Sequence, residues 1–285
     1  MDKFDNKVII VDKPPGLTSH EVTTLIKKLF KVKRAGHAGT LDPEVSGVLP
    51  IALGRSTKLI QYIASKDKTY IALARFKKEM TREEVEKIFA KHIGVITQTP
   101  PKISAVKKVA RERKIEKLQI IEKKGRLVLF EAQVQAGTYI RTLCEDIGKE
   151  TDGGRMEELR RIKVGKIAED KVNRMSKILF ALSEQEMGNP KPILEILNDP
   201  QDLIDLLKIL IKKSAIESIR NGAQIMIPAL ERIYGSPKKG DNVKIYCEKE
   251  FIGIGKMEIS EEELNKNKKG IAVKVERMHY LQTSL

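Results

Sequence analysis

The run Gly36-His37-Ala38-Gly39-Thr40-Leu41-Asp42-Pro43 constrains this chain more than any other stretch. Two glycines within four residues call for backbone in unusual φ/ψ or pressed close to a neighbour. Pro43 fixes its own φ and biases Asp42 away from helix, so the carboxylate is expected on a rigid, extended turn. Asp42 is the lone acid of the run, and Lys31, Lys33 and Arg34 lie just upstream. Two readings stand open from these residues. One is an Asp-Pro turn whose carboxylate caps backbone N–H groups. The other is a nucleophile presented to a polyanion from a basic approach.

Charge bears on that choice. Across 285 residues, 54 Lys+Arg face 39 Asp+Glu, a formal net charge of +15. Such an excess suits a nucleic acid or an acidic membrane surface, with a solvated basic surface as the alternative. The longest apolar run, near residues 206–211, is broken by Lys208, so no segment is expected to span a bilayer. The charge is spread along the chain, which favours nucleic acid over membrane. Cys144 and Cys247 stand far apart without CxxC spacing. That argues against a zinc site or a disulfide framework and for a reducing compartment. The first residues hold no apolar signal core, so a cytoplasmic location is expected.

A chain of this length can bury one large and one small core. Val8-Ile9-Ile10-Val11 reads as a buried strand running into the turn Asp12-Lys13-Pro14-Pro15-Gly16. Thr18 and Glu21 form a capping box opening a helix with Val22, Leu25, Ile26, Leu29 and Phe30 on one face. Residues 48–53 read as a strand interrupted by Pro50, residues 56–63 as a short helix, and residues 69–76 as a strand carrying Tyr70. Thr81 and Glu84 form a second capping box, with His92 near the end of its helix. Lys123-Lys124-Gly125 between two apolar runs predicts a β-hairpin. The basic run 107–114 reads as a solvated face or a phosphate-contacting arm.

Gly137-Thr138 leads into a helix with Arg141 in its first turn. A cation there opposes the helix dipole, so a nearby carboxylate is expected. Gly153-Gly154 precedes a predicted basic helix over residues 155–161. Pro190, Pro192 and Pro200 mark a boundary, dividing the chain into residues 1–200 and 201–285. The second part reads as a small β-rich module, with strands at 243–246, 251–254 and 271–275 and turn glycines at 235, 240, 253 and 255.

Several blocks occur in order: Lys13-Pro14-Pro15-Gly16-Leu17-Thr18-Ser19; the Asp42 loop with Gly47-Val48-Leu49-Pro50; Lys68-Thr69-Tyr70; Gly137-Thr138-Tyr139-Ile140-Arg141-Thr142-Leu143; and Glu158-Leu159-Arg160-Arg161. In these the chain resembles the TruB family of pseudouridine synthases. Pro100-Pro101-Lys102-Ile103-Ser104-Ala105-Val106-Lys107-Lys108 with Arg111 and Arg113 is similar to the archaeal, dyskerin-like branch, the catalytic subunit of H/ACA guide-RNA particles. Ile211-Lys212-Lys213-Ser214-Ala215, Asn221-Gly222-Ala223 and Ile227-Pro228-Ala229 resemble a PUA domain.

The resemblance implies an α+β catalytic domain around a mixed, largely antiparallel sheet with flanking helices, followed by a small β-barrel PUA module. It implies isomerisation of a uridine in RNA, with the base taken out of the stack. Asp42 would be the nucleophile or electrostatic partner, paired with Arg141, and Tyr70 would lie against the flipped uracil. Leu159 would pack the pocket, His37 would support the RNA, and Lys13 would belong to the supporting loop. Arg155, which stands where the family commonly has His, and Arg160 would contact RNA. The reaction is redox-neutral, so no metal or other cofactor is implied. Implied partners are target RNA in rRNA or tRNA, an H/ACA guide RNA and small protein subunits of that particle. A stand-alone enzyme acting on the tRNA T-loop, and a non-catalytic RNA-binding scaffold, are the alternatives.

Overall fold

The computed structural model describes residues 4–99, 107–260, 263–264 and 268–279. In chain order its first strands and helices are β1 (Val8–Lys13), α1 (Ser19–Leu29), β2 (Ala35–His37), β3 (Ser46–Leu53), α2 (Ile60–Ala64), β4 (Lys68–Phe76), α3 (Arg82–Lys91), β5 (Gly94–Gln98), β6 (Arg111–Lys124) and β7 (Leu127–Val134). There follow α4 (Ile140–Lys149), β8 (Gly154–Val164), β9 (Ile167–Ala168), α5 (Met175–Glu186), α6 (Lys191–Ile196), β10 (Leu197–Asn198) and α7 (Pro200–Leu203). The remainder holds β11 (Leu207–Ile211), α8 (Ile216–Arg220), β12 (Ile225–Met226), β13 (Leu230–Ile233), β14 (Asn242–Cys247), β15 (Glu250–Met257) and β16 (Ile271–Met278).

Two sheets organise these elements. The first has ten strands in the path β10-β1-β3-β8-β4-β7-β6-β5, with β2 on β3 and β9 on β8. Among the described residues its pairings are antiparallel except β3 with β8. The second, near-barrel sheet runs β12-β16-β15-β14-β11-β13, with β11 and β14 parallel.

The unbroken apolar run of β1 is explained by burial on both faces. Val8 and Ile10 pack with α2 and the second sheet, while Ile9 and Val11 pack under α1, α5 and α6. A third cluster sits where α3 and α4 cover β4, β6 and β7. Both capping boxes form as expected, at Thr18–Glu21 and Thr81–Glu84. His92 is the C-cap residue of α3 and meets Glu150 at 3.2 Å. The hairpin turns at Gly125 between β6 and β7.

Four sequence expectations need correction. Residues 155–161 are not a helix but the middle of β8, paired along β4 from Arg75↔Arg155 to Tyr70↔Arg161. Glu, Leu and Arg are good helix formers, but such preferences are worth only about a few tenths of a kcal/mol per residue, and cross-strand pairing overrides them. Pro50 does not interrupt β3: it stands opposite Ile10, and its carbonyl accepts the Ala38 N–H at 2.9 Å. Gly253 and Gly255 are not turn residues; they lie within β15, where a Cβ would fall 2.1 Å from the Arg277 carbonyl and 2.6 Å from a Val273 methyl. Residues 54–59 form a 3-10 turn before α2, so the helix expected over 56–63 is divided. The block from Pro100 to Val106 lies outside the described residues; Lys107–Ala110 is irregular and exposed, and Arg111 opens β6.

The two sheets pack together. Phe251 and Ile254 of β15 join Tyr62, Ile63, Val164 and Ile167 in one buried cluster. The Tyr62 hydroxyl donates to Glu276 at 2.8 Å, and Lys66 donates to the Asp205 carbonyl at 2.8 Å. Among the described residues no helix is long and apolar enough to cross a membrane.

Candidate active site

The Asp42 loop bridges β2 and β3 and is pinned on both sides. Upstream, the Ser19 hydroxyl accepts the Leu41 N–H at 2.8 Å and donates to the Leu41 carbonyl at 3.0 Å. Downstream, the Gly16 N–H donates to the Pro43 carbonyl at 2.9 Å. The fully buried Lys13 donates to the carbonyls of Pro43 at 2.9 Å, Val45 at 2.8 Å and Pro14 at 2.9 Å. Burial lowers the Lys13 pKa, while Asp42 and Glu44 act the other way. An ammonium in such a place is held by carbonyl oxygens, which is the physical reason a lysine rather than an apolar residue ends β1.

The turn itself is closed by backbone, with Val45 N–H donating to the Asp42 carbonyl at 3.1 Å. The carboxylate is therefore left to another partner. Asp42 Oδ2 accepts from Arg141 at 2.9 Å, the side chains being 53% and 33% exposed. This is the carboxylate that the cation in the first turn of α4 required. An ion pair so exposed contributes only about 0–1 kcal/mol to stability. Its consequence is geometric: one carboxylate is held at a fixed place on an open surface.

Tyr70 lies in β4 with its side chain nearly buried, in the same cluster as Leu41 and Val45 of the loop and Ile140 of α4. Leu159 of β8 packs against that cluster and pairs with Ala72. The structure thus brings Asp42, Arg141, Tyr70 and Leu159 around one cluster. His37 stands at the rim. Its Nδ1 is 3.1 Å from Thr23 Oγ1 and its Nε2 is 3.2 Å from Thr40 Oγ1. Burial, and then Arg161 and His20, push its pKa down.

The two remaining arginines point elsewhere. Arg155 is bound to Glu157 at 3.0 Å, and Glu157 is drawn below the usual carboxylate range first by Arg75 and then by Arg155. Arg160 bridges Asp12 at 2.9 Å and Glu169 at 3.0 Å. Successive strand residues face opposite sides of a sheet, so its neighbour Arg161 points inward. Arg161, only 1% exposed, donates to the Val48 carbonyl at 2.8 Å and the Gly39 carbonyl at 3.0 Å. Sequence reading passed over Arg161, Ser19 and Lys68. All three lie inside the quoted blocks, and a blocklike run of basic residues does not say which one turns inward.

Comparisons with known proteins agree on what this arrangement belongs to. Residues 27–140 match the family model for the TruB family pseudouridylate synthase N-terminal domain, residues 141–202 the tRNA pseudouridylate synthase B C-terminal domain, and residues 207–279 the PUA domain. A protein of Archaeoglobus fulgidus named "Probable tRNA pseudouridine synthase B" is 38% identical over 98% of this chain and 87% of its own length. A protein of the same name from Nanoarchaeum equitans is 41% identical over 95% and 79%. Among solved structures, a chain of a "Cbf5-Nop10-Gar1 Complex" superposes with a TM-score of 0.90 at 36% identity, covering 96% of this chain and 85% of that one. A chain of an "H/ACA RNP bound to a substrate RNA containing 2'-deoxyuridine" gives 0.90 at 33% identity, covering 98% and 87%. With a pinned Asp–Arg pair beside a nearly buried tyrosine, and relatives alike over nearly its whole length, the chain belongs to the TruB family of pseudouridine synthases.

Proposed function

We propose that this pseudouridine synthase isomerises uridines of structured RNA chosen by a guide RNA, in a particle with small protein subunits, and that it works in the cytoplasm. The observation that carries the catalytic assignment is the Asp42–Arg141 pair at 2.9 Å on a loop held by Lys13 and Ser19. In this reading residues 1–200 are the catalytic domain and residues 201–285 the PUA RNA-binding domain.

The isomerisation breaks the bond from N1 to the ribose C1', turns the uracil, forms the bond from C5 to C1', and moves one hydrogen from C5 to N1. Asp42 stabilises or captures the ribose while the base is detached. Arg141 keeps the carboxylate aimed. Tyr70 supports the ring and stands where the C5 proton leaves, and Leu159 closes the apolar wall. His37 and Lys13 hold the loop and the RNA around it, with Arg155 and Arg160 on the RNA path. Both ion-paired arginines would then exchange carboxylate for phosphate on binding.

The likeness to chains solved within H/ACA assemblies supports guide dependence. A second reading, a self-sufficient enzyme acting on tRNA, is favoured by the names of the curated relatives. Two buried cysteines that form no disulfide suit the reducing cytoplasm.

Tritium release from RNA labelled at uracil C5 tests the proposal. Release only with guide and subunits supports guided action; release from tRNA by the protein alone supports the second reading. Asp42→Asn should lower release by on the order of 10³-fold or more while RNA binding persists. Undiminished release from that variant would overturn the assignment of Asp42.

A further inference from the structure

Arg161 is the most deeply buried arginine described, and the reading above gives it no task. Its position is unusual in three ways. It lies where β8 meets both β3 and β4, opposite Gly47 on one side and Tyr70 on the other. Its guanidinium reaches the carbonyls of Gly39 and Val48, which stand on either side of Asp42. Tyr70 is its partner across β4 and β8, and residues paired across neighbouring strands have Cβ atoms roughly 5 Å apart and share a face, so the two side chains are neighbours.

Nothing in the burial of a cation explains that choice of partners. An arginine used only to satisfy carbonyls is costly, because its desolvation is repaid only by well-placed acceptors. Here the acceptors bracket the loop that carries Asp42, and the fork of fixed N–H directions holds both at once. On the same face its cross-strand neighbour is the tyrosine. A lysine in the same place, with a single ammonium on a flexible stem, could not hold all three in fixed register.

We propose that Arg161 is a positioning residue for the isomerisation: through one planar guanidinium it sets the Asp42 loop and the Tyr70 ring in a fixed mutual arrangement. This rests on the roles given above to Asp42 and Tyr70. Small misplacements of reacting groups cost rate rather than affinity. Loss of the fork therefore shows in kcat, and more strongly while the tyrosine hydroxyl is present to be positioned.

The test is a double-mutant cycle on one labelled RNA, with wild type, Arg161→Lys, Tyr70→Phe and the double variant. Arg161→Lys is expected to lower kcat on the order of 10-fold with KM within about twofold. In the Tyr70→Phe background the same change should cost clearly less than in wild type, because the part of the effect that runs through the hydroxyl is already lost and only the part through the Asp42 loop remains. Multiplying effects, or a rise in KM with kcat unchanged, would overturn the proposal while leaving the catalytic reading intact. A fully active Tyr70→Phe enzyme would overturn both. Should Arg161→Lys fail to fold, the guanidinium ¹⁵N resonances of Arg161 in the Tyr70→Phe protein decide the matter. They should shift from their wild-type positions, and unchanged resonances would sink the proposal.

Discussion

At the scale of single residues, hydrogen-bond directions assign states that composition cannot. Thr23 Oγ1 donates to the Ser19 carbonyl at 2.7 Å, so toward His37 Nδ1 it can only accept. That places the proton on Nδ1 and leaves Nε2 to accept from the Thr40 hydroxyl. Burial depresses the His37 pKa, so the ring is neutral in the folded protein at pH 7. Long-range ¹H–¹⁵N spectra should show the Nδ1–H tautomer at pH 7; an Nε2–H signature would refute it. Lys68 gives a second case. It is buried at the start of β4, donates to the carbonyls of Ala64 at 2.5 Å and Lys66 at 2.6 Å, and has its pKa lowered to about 8, first by burial and then by Arg161. Between about pH 8 and the ordinary 10.5 the unfolded chain binds the extra proton, so this group adds stability as pH rises through that window. Urea midpoints of wild type should therefore gain on those of Lys68→Met across it. Parallel curves would show that the lysine is not desolvated in the folded state.

At the scale of elements, the parallel contact of β3 with β8 depends on Gly47. Its φ is +109°, and a Cβ there would lie 2.1 Å from the Arg161 carbonyl. Backbone on both sides cannot yield, so Gly47→Ala should cost roughly 3 kcal/mol or more, from left-handed strain and overlap together. Gly16, at φ +92° with nothing within 4 Å of a Cβ, meets only the strain, and Gly16→Ala should cost about 1 kcal/mol. Chemical denaturation of the two variants checks the contrast, and equal losses would remove the steric argument. The same crossing accounts for the failed helix expectation over residues 155–161. A strand central to a sheet takes its conformation from neighbours distant in sequence, and no local pattern reports them.

At the scale of the whole molecule, the seam between the sheets is a core rather than a hinge. Phe251 is buried against residues of both sheets, and its ring lies 5.5 Å from Tyr246 and 5.2 Å from His279. Phe251→Ala should lose about 3–5 kcal/mol. Calorimetry should then resolve two transitions where wild type shows one, since the sheets would no longer unfold together. A single transition at unchanged temperature would mean that the seam contributes little.

What the order of residues carries by itself is local or compositional. The capping boxes at Thr18 and Thr81, the doubly buried run of β1 and the rigid Asp42 turn follow from side chains acting within a few residues of one another. The demand of Arg141 for a carboxylate follows from the helix dipole. The resemblance placed Asp42 opposite it across 99 positions, and the fold closes that distance to 2.9 Å. Which of two adjacent arginines turns inward was left to tertiary structure. Arg160 and Arg161 are chemically identical, and their difference is created by strand alternation and by pairing with β3 and β4. A strand's register is set by neighbours the local sequence does not contain, so the buried arginine could be named only once the sheet was assembled.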